Sequence, residues 1–288
     1  MSARLGRSRA SVWSVGISLL ALWGGTAHAQ TGFVPYYGKN QVRYDHFEWK
    51  VYTTDHFEMY YYGDVEAHLE RLAGYVESAY QHVSSELKHD ISIKIPIVLF
   101  ETHSEFEQQN IIPGAAPEGV AAFAEPLRDR MVLPIDEPPD QLYGLITHEL
   151  THIFEFDIIP RSLIRRGIPL WMDEGLSDYM RGSWVPLDLM TVRDAAVADI
   201  VPKMSDLEGY GGFSNPRLIY NLGHACFEFI ESKYGKEGIR QFLFALRKSV
   251  IGGGENAYQE AFRVSADEFD DLFDKYLKDR FKPFRDKE

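Results

Sequence analysis

The sequence has almost no sulfur to cross-link. Of 288 residues one is cysteine, Cys226, so no disulfide can form within the chain. Its neighbours Ala225 and Phe227 mark it as a small buried hydrophobe and not a nucleophile. Positive charge is also scarce, with 30 Lys and Arg against 43 Asp and Glu, a net charge of −13. An acidic surface argues against nucleic acid and anionic membranes as partners. There is no internal repeat and no low-complexity tract. The mostly apolar run from Val12 to Trp23 is too short to make a good membrane span.

That run belongs to a leader. Arg4, Arg7 and Arg9 precede it, and Ala27-His28-Ala29 follows as a small-x-small cleavage site. Residues 1–29 therefore read as a secretory signal peptide, with the mature chain starting near Gln30 in the periplasm or outside the cell. The arginines are not adjacent, which argues against a twin-arginine route. No cysteine follows the run, so no lipoprotein anchor is expected. With 45% hydrophobic and 14% aromatic residues, the remainder can build a sizeable core without disulfides.

The spacing of apolar residues predicts an α+β chain. Phe57, Met59 and Tyr61 alternate with polar neighbours in a strand expected over Phe47 to Tyr62. Asp64 is placed to cap the next helix, whose apolar face runs from Leu69 to Leu87. Ile91, Ile93 and Ile95 open a second strand reaching Phe100, where Pro96 suggests an edge or a break. A short helix from His103, a loop over 113–119 and two strands, Val120 to Ala124 and Met131 to Pro134, follow. The second half is helical: Leu170 to Arg181, Leu187 to Ile200, Leu218 to Tyr234 ended by Gly235, Gly238 to Lys248, and a last helix opened by Ser265-x-x-Glu268. The expected division is a mixed lobe over 30–158 and a helical lobe over 159–288.

Between the halves stands Tyr143-Gly-Leu-Ile-Thr-His148-Glu149-Leu-Thr-His152. Leu142, Leu145, Ile146, Leu150 and Ile153 recur at helical steps. Residues four apart share a helix face, so His148 and His152 can grip one metal ion. Glu149 follows the first histidine, where its carboxylate can reach a water on that ion without being a ligand. This is the H-E-x-x-H pattern of zinc peptidases. Alone it is only suggestive. Downstream, Trp171-Met-Asp-Glu174-Gly175-Leu-Ser-Asp178 supplies a third ligand, Glu174, on a second helix. Asp178, one turn later, is placed to hold the other ring nitrogen of His148. Two imidazoles and a carboxylate leave a fourth position on Zn2+ open to water, as in catalytic sites.

Together, His148-Glu149-x-x-His152 and Trp171-x-x-Glu174-Gly175-x-x-Asp178 resemble the gluzincins, the thermolysin-like zinc metallopeptidases. The metzincin pattern fails, because Glu155 and Ile158 stand where Gly and His would be needed. The resemblance implies a zincin-like mixed lobe and a helical lobe with zinc in the cleft between them. It also implies peptide-bond hydrolysis with Glu149 as general base. Tyr220 opens Tyr220-Asn-Leu-Gly223, similar to the Tyr-x-x-Gly segment of zinc aminopeptidases, whose tyrosine binds the oxyanion. That branch often has Lys where Leu222 stands. His224 is a rival donor that would leave its helix on another face.

A peptide or protein substrate would be held as an added strand along Ala121-Ala122-Phe123-Ala124, provided that this is an edge; an interior strand is the other reading. Glu118 reads as a loop residue. The mature chain also resembles the peptidase-like domain that precedes Tol-type β-propellers in secreted bacterial proteins, through Gly119-Val-Ala-Ala-Phe-Ala-Glu-Pro and Glu268-Phe-Asp-x-x-Phe. This chain departs from that pattern by stopping at Glu288 with no propeller, so either the domain acts alone or a propeller or other envelope protein partner supplies what the propeller does elsewhere. The alternative to an enzyme is a non-catalytic, zinc-bound or metal-free scaffold. Retention of the base Glu149 favours the enzyme.

Overall fold

Among the described residues, five strands form one mixed sheet: β1 (Lys50–Thr53), β2 (Phe57–Tyr61), β3 (Ile95–Phe100), β4 (Phe123–Glu125) and β5 (Arg130–Pro134), in the order β1-β2-β3-β5-β4. The computed structural model describes residues 47–111, 120–159, 168–207, 215–251 and 256–285. The expected leader over 1–29, the segment 30–45, Glu118 and the glycine-rich stretches at 209–214 and 252–254 lie outside the described residues. No described helix is long and apolar enough to cross a membrane.

β2, β3 and β5 run parallel, and the outer strands β1 and β4 pair antiparallel to them. Phe57, Met59 and Tyr61 are buried as their alternation requires, and so are Ile95, Ile97 and Leu99. Among the described residues there are eight helices: α1 (Leu69–Leu87), α2 (His103–Glu107), α3 (Pro139–Ile158), α4 (Leu170–Arg181), α5 (Pro186–Val197), α6 (Arg217–Ile251), α7 (Ala257–Phe262) and α8 (Ala266–Arg285). Leu72 and Val76 of α1 join Leu150, Ile153 and Phe154 of α3 and Met59, Ile97 and Leu133 of the sheet in one buried cluster. Each such side chain contributes about 1.5–3 kcal/mol when fully buried. A smaller cluster of Tyr62, Phe100, Phe106 and Val132 includes Phe106 of α2.

Several boundaries differ from the sequence expectation. The single strand from Phe47 to Tyr62 is a hairpin, because Thr54 turns the chain: its hydroxyl accepts from the Phe57 N–H at 3.1 Å. Asp64 does not cap α1; it lies in a 3-10 turn over Gly63–His68 that precedes the helix. Ile91 and Ile93 precede β3 and are not part of it, and Ile93 is exposed. Pro96 sits neither at an edge nor at a break. β3 is central, but the β5 ladder starts at Ile97, so Pro96 is registered only against Glu58 of β2. α6 is two helices joined at Gly235, whose φ of 71° and ψ of 175° break the ladder. The Ser265 hydroxyl accepts from the Glu268 N–H at 3.1 Å, capping α8 as its motif predicts.

Candidate metal centre

α3 is buried on nearly every side, so its polar residues need partners inside the protein. Thr147 and Thr151 satisfy their hydroxyls locally by donating to the carbonyls of Tyr143 and Thr147, at 2.9 and 2.8 Å. His148 and His152 find theirs on α4. Their rings stand 5.0 Å apart, centroid to centroid, and nearly perpendicular. The Glu174 carboxylate faces both: its Oε2 lies 3.4 Å from Nε2 of His148 and 3.5 Å from Nε2 of His152.

The opposite ring nitrogens are also held. Nδ1 of His148 is 3.0 Å from Oδ1 of Asp178. Nδ1 of His152 is 3.0 Å from Asp173, 3.1 Å from Glu155 and 3.3 Å from the Ser177 hydroxyl. Asp178 in turn pairs with Arg217 at 2.8 Å, and Arg217 bridges to Asp188 at 2.9 Å. The sequence reading found Asp178 but missed Asp173, Glu155, Ser177 and Arg217. Part of the signal was there: Asp173 and Ser177 have the same four-residue spacing as Glu174 and Asp178. Arg217 had no such signal, because it arrives on a helix distant in sequence.

This array controls protonation. Burial would lower His148, but the Asp178 and Glu174 carboxylates outweigh it and raise the imidazole to about 9. His152 is pushed the same way, against burial, by Asp173, Glu155 and Glu174. Burial would raise Glu174, yet the two imidazoles hold it far below the ordinary carboxylate range. Burial raises Glu149, with the imidazoles and the Ala124 backbone pulling the other way. Glu155, sealed in the core beside Asp173, is driven well up.

The donor set fits a zinc ion. Ligand atoms bound at about 2.0–2.1 Å in a tetrahedron stand about 3.3–3.4 Å apart, and the Nε2-to-Oε2 separations match. His152, Glu155 and Asp173 form an overlapping acidic group. It meets His152 through Nδ1, at ordinary hydrogen-bond distances, and is best read as holding the ring.

His148, His152 and Glu174 line a cleft of about 690 Å³ together with Glu149, Phe123, Ala124, Arg217 and Tyr220. β4 is an edge strand, so the alternative of an interior strand is removed for Phe123 and Ala124. Ala122 precedes the strand and lines the same wall. Tyr220 faces the cleft, its ring under the Arg217 guanidinium at 5.0 Å. His224 points elsewhere: it is buried and stacked on Trp184 at 3.9 Å. Cys226 is fully buried, as its neighbours suggested.

No protein-family model matches the chain, and no curated protein matches it.

Proposed function

We propose that the chain is an exported zinc-dependent peptidase of the gluzincin kind, built as a zincin-like mixed lobe followed by a helical lobe. One observation carries this reading. His148, His152 and Glu174 converge on one point of a cleft, with Glu149 beside them and an edge strand lining the same cleft. The leader-like residues 1–29 support export, and an envelope protein partner accords with it.

Zinc held by these three side chains would supply a Lewis acid that makes water a nucleophile and polarises the substrate carbonyl. The rest is work for the chain's own groups. An extended peptide adds to β4 through backbone hydrogen bonds, which sets its carbonyl over the ligands. Glu149 accepts a proton from the attacking water and passes it to the leaving nitrogen as the C–N bond breaks. The new carbonyl-carbon oxygen bond yields a carboxylic acid, and the nitrogen leaves as an amine. The Tyr220 hydroxyl donates to the oxygen on which charge develops. Asp178 and Asp173 keep each imidazole turned towards its ligand position.

The test is zinc analysis of the purified protein, with cleavage of a peptide library by wild type and Glu149→Gln. Stoichiometric zinc, with cleavage falling about 10²–10⁴-fold in the variant, supports the enzyme. Tight zinc with no cleavage by wild type supports the scaffold instead. Lack of zinc binding removes both zinc readings. Blocking the peptide amino terminus then separates endopeptidase from aminopeptidase.

A further inference from the structure

The cleft contains a guanidinium that this chemistry does not use. Arg181 is the last residue of α4, lines the cleft and is half-buried. Among the described residues it has no ion pair and no hydrogen bond from its side chain. Arg130, Arg217, Arg240 and Arg280 behave differently, each meeting a carboxylate. A partly desolvated cation without a partner is costly, and a ligand anion offsets that cost.

Its position is specific. A Cβ at Gly144 would lie 2.8 Å from Nε of Arg181 and 3.3 Å from its Cγ, so the glycine leaves the space that this side chain fills. Gly144 is one helical turn before His148 and on the same face of α3. Four residues of helix advance about 6 Å. An extended peptide advances about 3.3 Å per residue. The guanidinium therefore stands roughly two peptide residues from the first ligand. The cleft's other guanidinium, Arg217, is already paired with Asp178 and Asp188, and Glu149, Asp173 and Glu174 are acidic. These three carboxylates repel an anion placed over them and direct it to Arg181.

Resting on the peptidase reading, we propose that Arg181 is a specificity residue. It selects peptides that carry a carboxylate one or two residues from the scissile bond. A guanidinium offers paired donors that fit a carboxylate in bidentate fashion. That carboxylate can be an Asp or Glu side chain or the chain's own terminus.

The experiment compares peptide pairs with Glu or Gln at each position flanking the cleaved bond. One set has an amidated end and the other a free end. Wild type is expected to favour Glu, or the free end, by about ten- to a hundredfold in kcat/KM. In Arg181→Met that ratio falls to near one, while Arg181→Lys keeps part of it. A preference for Glu in amidated peptides assigns the side chain; a preference confined to free ends assigns the terminus. Equal rates on each pair in wild type, or an unchanged ratio in Arg181→Met, overturn the assignment and leave the peptidase standing. Calorimetric binding of the same peptides to zinc-loaded Glu149→Gln protein, with and without Arg181→Met, reads the contact without turnover. If wild type cleaves nothing, loss of Glu selectivity in binding still supports Arg181, and absence of selectivity sinks it. Thermal melts of Arg181→Met confirm that the comparison is made on folded protein.

Discussion

Gly175 of α4 and Gly223 of α6 pack backbone against backbone. A Cβ on Gly175 would overlap the Gly223 Cα, and one on Gly223 would overlap the Trp171 carbonyl oxygen. Glu174 precedes the first glycine, and Tyr220 stands three residues before the second. The close crossing therefore brings the Glu174 carboxylate and the Tyr220 phenol to one cleft. Gly223→Ala should destabilise the protein by about 2–3 kcal/mol and weaken zinc binding together, since the helices must separate to admit a methyl group. Urea unfolding and a chelator competition measure the two effects. Stability equal to wild type would mean that the crossing is looser than described.

Asp178 joins His148 to Arg217. Removing it as Asp178→Ala frees the imidazole to rotate and leaves the guanidinium with Asp188 alone. Zinc affinity should fall about 10–100-fold, as expected for loss of a carboxylate behind a ligating histidine. A competitive chelator titration decides this, and unchanged affinity would show that packing alone orients the ring.

Tyr220→Phe removes one hydroxyl and keeps the ring under Arg217. If that hydroxyl donates to developing negative charge, kcat falls about 10²–10³-fold while zinc content and KM stay close to wild type. A variant with wild-type kcat would return the role to another donor.

His224 should make folding sensitive to mild acid. Burial is the main cause that lowers it to about 4, helped by Arg280 and Arg217 against the pull of Glu228 and Asp178. An unfolded histidine titrates near 6.5. Between those values the unfolded chain takes up a proton that the folded chain refuses, so stability falls as pH drops from about 6.5 towards 4. The linkage relation gives a loss of about 2 kcal/mol between pH 7 and pH 5. Urea titrations at the two pH values, repeated on His224→Gln, isolate this share. A variant that loses as much as wild type would assign the acid sensitivity to other groups.

Much of the centre was legible because it depends on local spacing. His148 and His152 need only one helical turn, and Glu174 with Asp178 repeats that spacing on the next helix. Helix ends set by Gly235 and Ser265 were readable for the same reason. Features fixed by distant partners were not. Arg217 reaches Asp178 from 39 positions away in the chain, across a helix pairing that periodicity does not encode. Pro96 read as an edge signal because alternation cannot reveal that the β5 ladder begins one residue later. Whether Phe123 and Ala124 stood at a border depended on strand order, which only the folded sheet supplies.

The sealed thiol of Cys226 bears on which metal the proposed centre would select. Soft monovalent copper prefers sulfur donors, and Cys226, the one thiol of the chain, is out of reach of solvent. Imidazole and carboxylate accept several first-row divalent ions. An ion taken up by the proposed centre would therefore be set by coordination geometry and by what the compartment supplies, with no help from thiolate chemistry.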